Sequence, residues 1–209
     1  MKPIAIFYHT AINLSREHQA WAFNLLQEQV STLHEVGLTL AAENFFVGLN
    51  GDLADFFAVS SLLPESAQLA LNPPATWPAG ECATLNALRH YCKVNRDQHI
   101  LYFHMKGLSH VPGSPTHDAN HLWRLQMEHV VLHQWRKCVK YLDQGFQTAG
   151  TRWYQSYTGN YYAGNFWWGT SNYLATLPEI RPEGHLAGGR YEAEVWIGRG
   201  PHPPRHVDL

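Results

Sequence analysis

The sequence predicts an α/β domain built on a mixed, mostly parallel sheet flanked by helices. Three observations predict it. Between residues 4 and 103, short apolar runs alternate with stretches of helical periodicity in the order strand, helix, strand, helix, strand, the pattern of parallel strands joined by crossover helices. At 209 residues the chain suits one domain with a sizeable core. Polar residues gather just after each predicted strand, where open α/β sheets bind their ligands.

The first strand is Ile4-Ala5-Ile6-Phe7-Tyr8-His9, an unbroken apolar run ending in a polar residue. Residues 16–36 place Trp21, Leu25, Leu26, Val30 and Leu33 at helical spacing, and Gly37 suits the helix stop. The second strand is predicted over 43–49, followed by the turn Asn50-Gly51-Asp52 and a short helix over 53–59. Residues 60–80 read as irregular, with Pro73, Pro74 and Pro78 marking a loop. A helix over 83–93 leads to the third strand, 98–103. After a Gly-, Ser- and Pro-rich loop over 107–116, the longest helix is predicted over 120–142. The last third is rich in Tyr, Trp and Gly. It carries a short helix or turn over 170–177, a loop over 181–189 and a final helix over 191–197. Residues 1–198 read as one domain and 199–209, with three prolines, as an extended tail.

Composition narrows the function. Charged residues are 15% of the chain and the formal net charge is −2, so no global field draws it to nucleic acid or an anionic membrane. Three cysteines without paired spacing point to reduced thiols. No apolar run reaches the ~18 residues of a membrane-spanning helix, and the N-terminus lacks a leader pattern, so a cytoplasmic protein is expected. The 8 tryptophans and 14 histidines point toward ring stacking and toward acid–base or metal work.

Three segments carry candidate chemistry. At the end of the third strand, His104 and Lys106 precede Gly107, and a cationic pair at a strand end can neutralise a diphosphate. In Gly164-Asn165-Phe166-Trp167-Trp168, an amide suited to hydroxyls stands among aromatics suited to sugar faces. Glu192 and Glu194 follow Arg190 at the start of the last helix. Either carboxylate suits a general base, and both also suit the helix dipole. Two apart, they point to different sides of that helix. His117 and His121, and His129 and His133, have the i, i+4 spacing of zinc ligands, but no HExxH, GxSxG, GxGxxG or P-loop motif is present.

Five blocks, Phe7-Tyr8-His9, LYFHMKG at 101–107, GNFWWG at 164–169, LATLP at 174–178 and RYEAEVWIG at 190–198, resemble, in this order, a family of small glycosyltransferase-like proteins of bacterial polysaccharide loci and large viruses. The resemblance spans residues 4–198 and implies a GT-A-like fold, with a nucleotide half first and an acceptor half second. It implies a nucleotide-sugar donor, a hydroxyl acceptor and a role in polysaccharide or glycan synthesis. Tyr8, His9, Thr10, Asn50, Asp52, His104, Lys106 and Arg190 would then meet the nucleotide or its diphosphate. Gly164, Asn165, Phe166, Trp167 and Trp168 would hold sugar, and Glu192 or Glu194, with Glu192 favoured, would be the base of an inverting transfer. The Asp-x-Asp metal motif of such enzymes is absent where His104-Met105-Lys106 stands. Either His104 helps hold Mn or Mg, or Lys106 and Arg190 neutralise the diphosphate without a metal, the reading that hard cations' preference for oxygen favours. Two other classes stay open, a non-catalytic carbohydrate-binding protein and a His-ligated metal hydrolase.

Overall fold

Among the described residues, seven strands form one sheet in the order β3-β2-β1-β4-β8-β5-β9. The strands and helices, in chain order, are β1 (Ile4–Ala11), α1 (Arg16–Glu35), α2 (Leu38–Ala41), β2 (Asn44–Asn50), α3 (Leu53–Ser60), β3 (Ala67–Asn72), α4 (Glu81–Val94), β4 (His99–His104), α5 (His117–Glu128), α6 (Trp135–Asp143), β5 (Thr148–Gly150), β6 (Trp153–Ser156), β7 (Gly159–Tyr162), β8 (Trp167–Thr170), α7 (Ser171–Leu174), α8 (Arg190–Val195) and β9 (His206–Asp208). These come from a computed structural model that describes residues 2–12, 16–72, 80–157, 159–181 and 190–209, without the side chains at 16, 17 and 190. Most pairings are parallel. β1 pairs with β2 and β4, β2 with β3, and β5 with β9, while β8 runs antiparallel to both β4 and β5.

Helices cover both faces, so the central strands are buried on both sides, as the unbroken apolar character of β1 requires. Ile4, Ile6, Tyr8, Leu101 and Phe103 pack with residues of α1 and α6 on one face. Ala5, Phe7, Ile100 and Tyr102 pack beneath α4, α7 and α8 on the other. β2 and β3 extend the sheet from one side of β1, and β4 then joins on the opposite side. The topological switch point is therefore between β1 and β4, where ligands of open α/β sheets bind beyond the strand carboxyl ends.

Three expectations are corrected. Residues 60–80 are not wholly irregular: Ala67–Asn72 is an edge strand, and its Ala-Gln-Leu-Ala-Leu-Asn sequence lacks the β-branched residues that signal one. The prolines at 73, 74 and 78 lie outside the described residues, as does the predicted loop from 182 to 189. The long helix is two helices, α5 and α6, separated by a π-helical turn over His129–His133 and a non-helical Gln134. At that turn the Val131 carbonyl accepts from the Trp168 indole N–H at 2.7 Å. The predicted tail returns to the sheet: β9 pairs with β5, and Tyr162 donates its phenol proton to the Val207 carbonyl at 3.0 Å. Finally, β6 and β7 form a separate antiparallel hairpin in the Tyr-rich segment.

Candidate functional site

Parallel pairing puts His9 of β1 directly beside His104 of β4 at the switch point. Both histidines project toward α4, His104 to its first residue, Glu81, and His9 to Thr84. Glu81 Oε1 is 3.4 Å from His104 Nδ1. Its Oε2 accepts from the Tyr102 phenol at 3.1 Å and from the Asn165 amide at 2.9 Å. His9 Nδ1 shares a 2.9 Å hydrogen bond with the Thr84 hydroxyl, one turn along α4. Gly48 makes this possible, because a Cβ there would collide with the Thr84 hydroxyl.

The electrostatics follow from burial and charge. Burial pushes the His9 imidazole down to about 4, more than the Glu81 carboxylate raises it, with His104 lowering it further. His9 is therefore neutral at pH 7. Burial alone would raise the Glu81 carboxyl, but His104, then His9, and the hydrogen bonds from Asn165 and Tyr102 bring it below the ordinary carboxylate range. Glu81 is thus a fixed anion in the first turn of α4, where the helix dipole also favours it.

The cluster continues through Gly164. His104 Nε2 donates to the Gly164 carbonyl at 2.9 Å, and the Gly164 N–H donates to Glu194 at 3.1 Å. Both Gly164 (φ 88°) and Asn165 (φ 58°) are left-handed, a conformation glycine and asparagine tolerate best. This double turn aims the Asn165 amide at Glu81 and, at 3.3 Å, at the Ala193 carbonyl of α8, while Asn165 Oδ1 accepts from the Trp167 indole at 2.8 Å. At the rim, Lys106 Nζ lies 4.3 Å above the Trp123 ring and the Arg152 guanidinium 5.7 Å from it. The Trp123 indole N–H is buried and has no acceptor among the described residues. Next to Thr84 a cavity of about 320 Å³ runs along the sheet face, walled by Phe7, Phe46, Asn72 and Tyr91 among others.

Of the residues read from the sequence, His9, His104, Gly164, Asn165 and Glu194 come together here, with Lys106 at the edge. Others do not. Tyr8 and Thr10 flank His9 in the strand and so project to the opposite face. Tyr8 donates to Gln29 at 2.6 Å and Thr10 to the Gly48 carbonyl at 3.3 Å. Asp52 caps α3: its side chain accepts from the Asp55 N–H at 2.9 Å, and Asp55 returns the bond to the Asp52 N–H at 2.9 Å. Asn50 stands two strands from β4, its buried Oδ1 without a partner among the described residues. Phe166, Trp167 and Trp168 are fully buried in the two cores, so their ring faces are packed against protein and are not open to a sugar. Glu192, the favoured base, is buried in a bidentate pair with Arg199, at 3.0 and 3.2 Å. The side chain of Arg190 lies outside the described residues.

Sequence reading missed Glu81, Thr84 and Tyr102. Glu81 lies two residues before the predicted helix start, just after the proline-rich loop. Its only local signal is an acid following Gly80 at the head of an amphipathic helix.

The histidine pairs show no metal geometry. His117 Nδ1 donates to the His110 carbonyl at 2.7 Å, and His121 Nδ1 accepts from Arg124 at 3.1 Å. Among the described residues no group of three or more His, Cys, Asp or Glu side chains is placed to hold an ion. His104 has one ring nitrogen committed to a carbonyl and the other facing Glu81, so the donors present do not fit a resident Mn or Mg. The three cysteines are buried and form no disulfide, and no helix among the described residues is long and apolar enough to cross a membrane.

Fold and site together define an α/β protein with a polar cluster at the switch point of a mostly parallel sheet. The chain belongs to the family described as domain of unknown function DUF8361, which it matches over residues 7–183. No curated protein matches it. Among solved structures it is similar to the crystal structure of Rv0371c from Mycobacterium tuberculosis H37Rv, at 13% identity and a TM-score of 0.45, over 100% of this chain and 89% of that one.

Proposed function

We propose that the protein is a glycosyltransferase that moves a sugar from a nucleotide-sugar to a hydroxyl acceptor at the carboxyl ends of β1 and β4. One observation carries this reading: His104, Gly164 and Glu194, from three distant segments, form a single hydrogen-bonded relay at the switch point. Those segments are three of the blocks that resemble small glycosyltransferases. Lys106 and Arg152, gathered around Trp123, supply the local cations that a diphosphate needs in a chain of net negative charge. The aromatic cavity beside Thr84 suits the flat ring of the donor's base.

In an inverting transfer the acceptor oxygen attacks the anomeric carbon and its proton passes to the Glu194 carboxylate. The bond from that carbon to the diphosphate oxygen breaks, and its electron pair leaves on the nucleoside diphosphate. Glu194 is the better base because its partner among the described residues is a backbone N–H rather than an arginine. No step runs through a metal.

The test is a panel of UDP-, GDP-, ADP- and dTDP-linked hexoses, with and without Mn or Mg, read by thermal stabilisation and slow donor hydrolysis. A donor at a hundred times its Kd stabilises the fold by about 2.7 kcal/mol. Glu194→Gln should keep that stabilisation and lower turnover by about 10²- to 10⁴-fold. Silence from every donor under every condition sinks the reading.

A further inference from the structure

The buried tryptophans leave the sugar without a stacking surface, and the β6–β7 hairpin offers one. Its two faces differ. Trp153 and Tyr162 turn inward: Trp153 stacks on His206 with centroids 4.3 Å apart, and Tyr162 is buried against Gly150. Tyr154 and Tyr161, register partners on the other face, stack on each other at 6.0 Å with planes 21° apart, and Tyr154 is 51% exposed. A single exposed aromatic needs no explanation, but this pair does not stand alone. Gly159 lies on the same face, where its missing side chain lets Val195 of α8 close in. This seats α8 beside the pair, and α8 carries Tyr191, 60% exposed, and Glu194. Tyr161 lies close enough to Glu194 and Tyr154 for their charges to act on its phenol, which is pushed above its ordinary range by burial first and by those two groups next. Glu194 in turn accepts from Gly164. The aromatic face is thus continuous with the relay at the switch point.

We infer that the Tyr154–Tyr161 face of the hairpin is a carbohydrate-stacking platform that seats the acceptor sugar beside Glu194, an inference that rests on the transferase reading. A pyranose has one face of C–H bonds and a rim of hydroxyls. The ring pair takes the face, while the phenols and the Glu194 carboxylate take hydroxyls.

The experiment uses the full chain on a glycan array, followed by calorimetry with the oligosaccharide retained best. It compares wild type with Tyr154→Ala/Tyr161→Ala and Tyr154→Phe/Tyr161→Phe. Wild type should retain at least one oligosaccharide class, the alanine pair should weaken it by about tenfold or more, and the phenylalanine pair should restore most of the affinity. The nucleotide-sugar stabilisation is measured on the same variants and should be unchanged in all. Retention of no glycan by wild type, or equal retention by the alanine pair, overturns the platform while donor binding stands. Glycan binding that depends on the tyrosines, with no donor response, supports the platform and sinks the transferase reading.

Discussion

Two polar networks sit back to back at the carboxyl ends of β1 and β4, and they differ in how they end. On the α1 side, Arg124 is 1% exposed and gives its Nη1 to both Glu128 oxygens, at 2.8 and 2.9 Å, and its Nη2 to Glu28. Gln29 donates to Glu128 at 2.7 Å and accepts from Tyr8 at 2.6 Å, which closes the circuit. On the α4 side, Glu81 is 23% exposed, and the network runs outward through His104 and Gly164 to Glu194. Gln29 also donates to the His104 carbonyl at 3.4 Å, so the closed network braces the strand end that the open one uses. Buried charge by itself therefore does not mark a site. What separates the two networks is whether, among the described residues, the last carboxylate already has a charged partner.

The closed network should fail first in stability. Arg124→Met leaves Glu128 buried without its cation, and a loss of about 3–5 kcal/mol is expected, a fall in Tm of roughly 6–20 °C. Arg124→Met/Glu128→Leu should recover much of that loss, because replacing both partners removes the stranded charge as well. If the single variant melts with wild type, the network is not closed in the sense argued above, and the contrast with the α4 side collapses.

His9 tests the open network by pH. Its imidazole is held at about 4 in the fold, against 6.5 for the unperturbed group. Between these values the unfolded chain binds the proton and the folded one does not, so stability falls as pH drops from 6.5 toward 4. The group accounts for about 3 kcal/mol of that loss at the acid end. Glu81, with its pKa lowered, adds its own loss only at more acid pH, as its carboxylate protonates. His9→Gln, measured by urea unfolding at several pH values, should flatten the slope between pH 6.5 and 4. An unchanged slope would place the acid sensitivity elsewhere.

The contrast also explains what the sequence could and could not disclose. The strands β1, β2 and β4 were legible because burial on both faces writes itself as unbroken apolar runs. His9 and His104 were legible because the polar residue closing such a run sits at the sheet's carboxyl edge. Glu81 was not, since its position depends on how α4 lies across the sheet, a contact with His104 from 23 residues away that no local pattern encodes. The alternation of Tyr8 and His9 across the sheet was available from strand periodicity alone, and it separates the two networks. Trp167 and Trp168 misled because a strand between two cores looks, in sequence, like a strand lining a groove. The short strands β5, β8 and β9, of three or four residues, take their place from pairing rather than from propensity.

The smallest effect in stability discriminates best between the two acids of α8. Glu192 is buried against Arg199, so Glu192→Gln should cost about 1–2 kcal/mol in denaturant unfolding and leave donor turnover intact. Among the described residues Glu194 accepts from the Gly164 N–H, a bond the glutamine carbonyl can still accept, so Glu194→Gln should cost less than about 1 kcal/mol. Turnover should nevertheless collapse in Glu194→Gln and persist in Glu192→Gln. The opposite split, with activity following Glu192, would mean that Arg199 moves aside when the donor binds and that the closed pair is the working one. Two carboxylates two residues apart would then have exchanged the roles their partners assign them, and the rule drawn from the two networks would fail at the place it matters most.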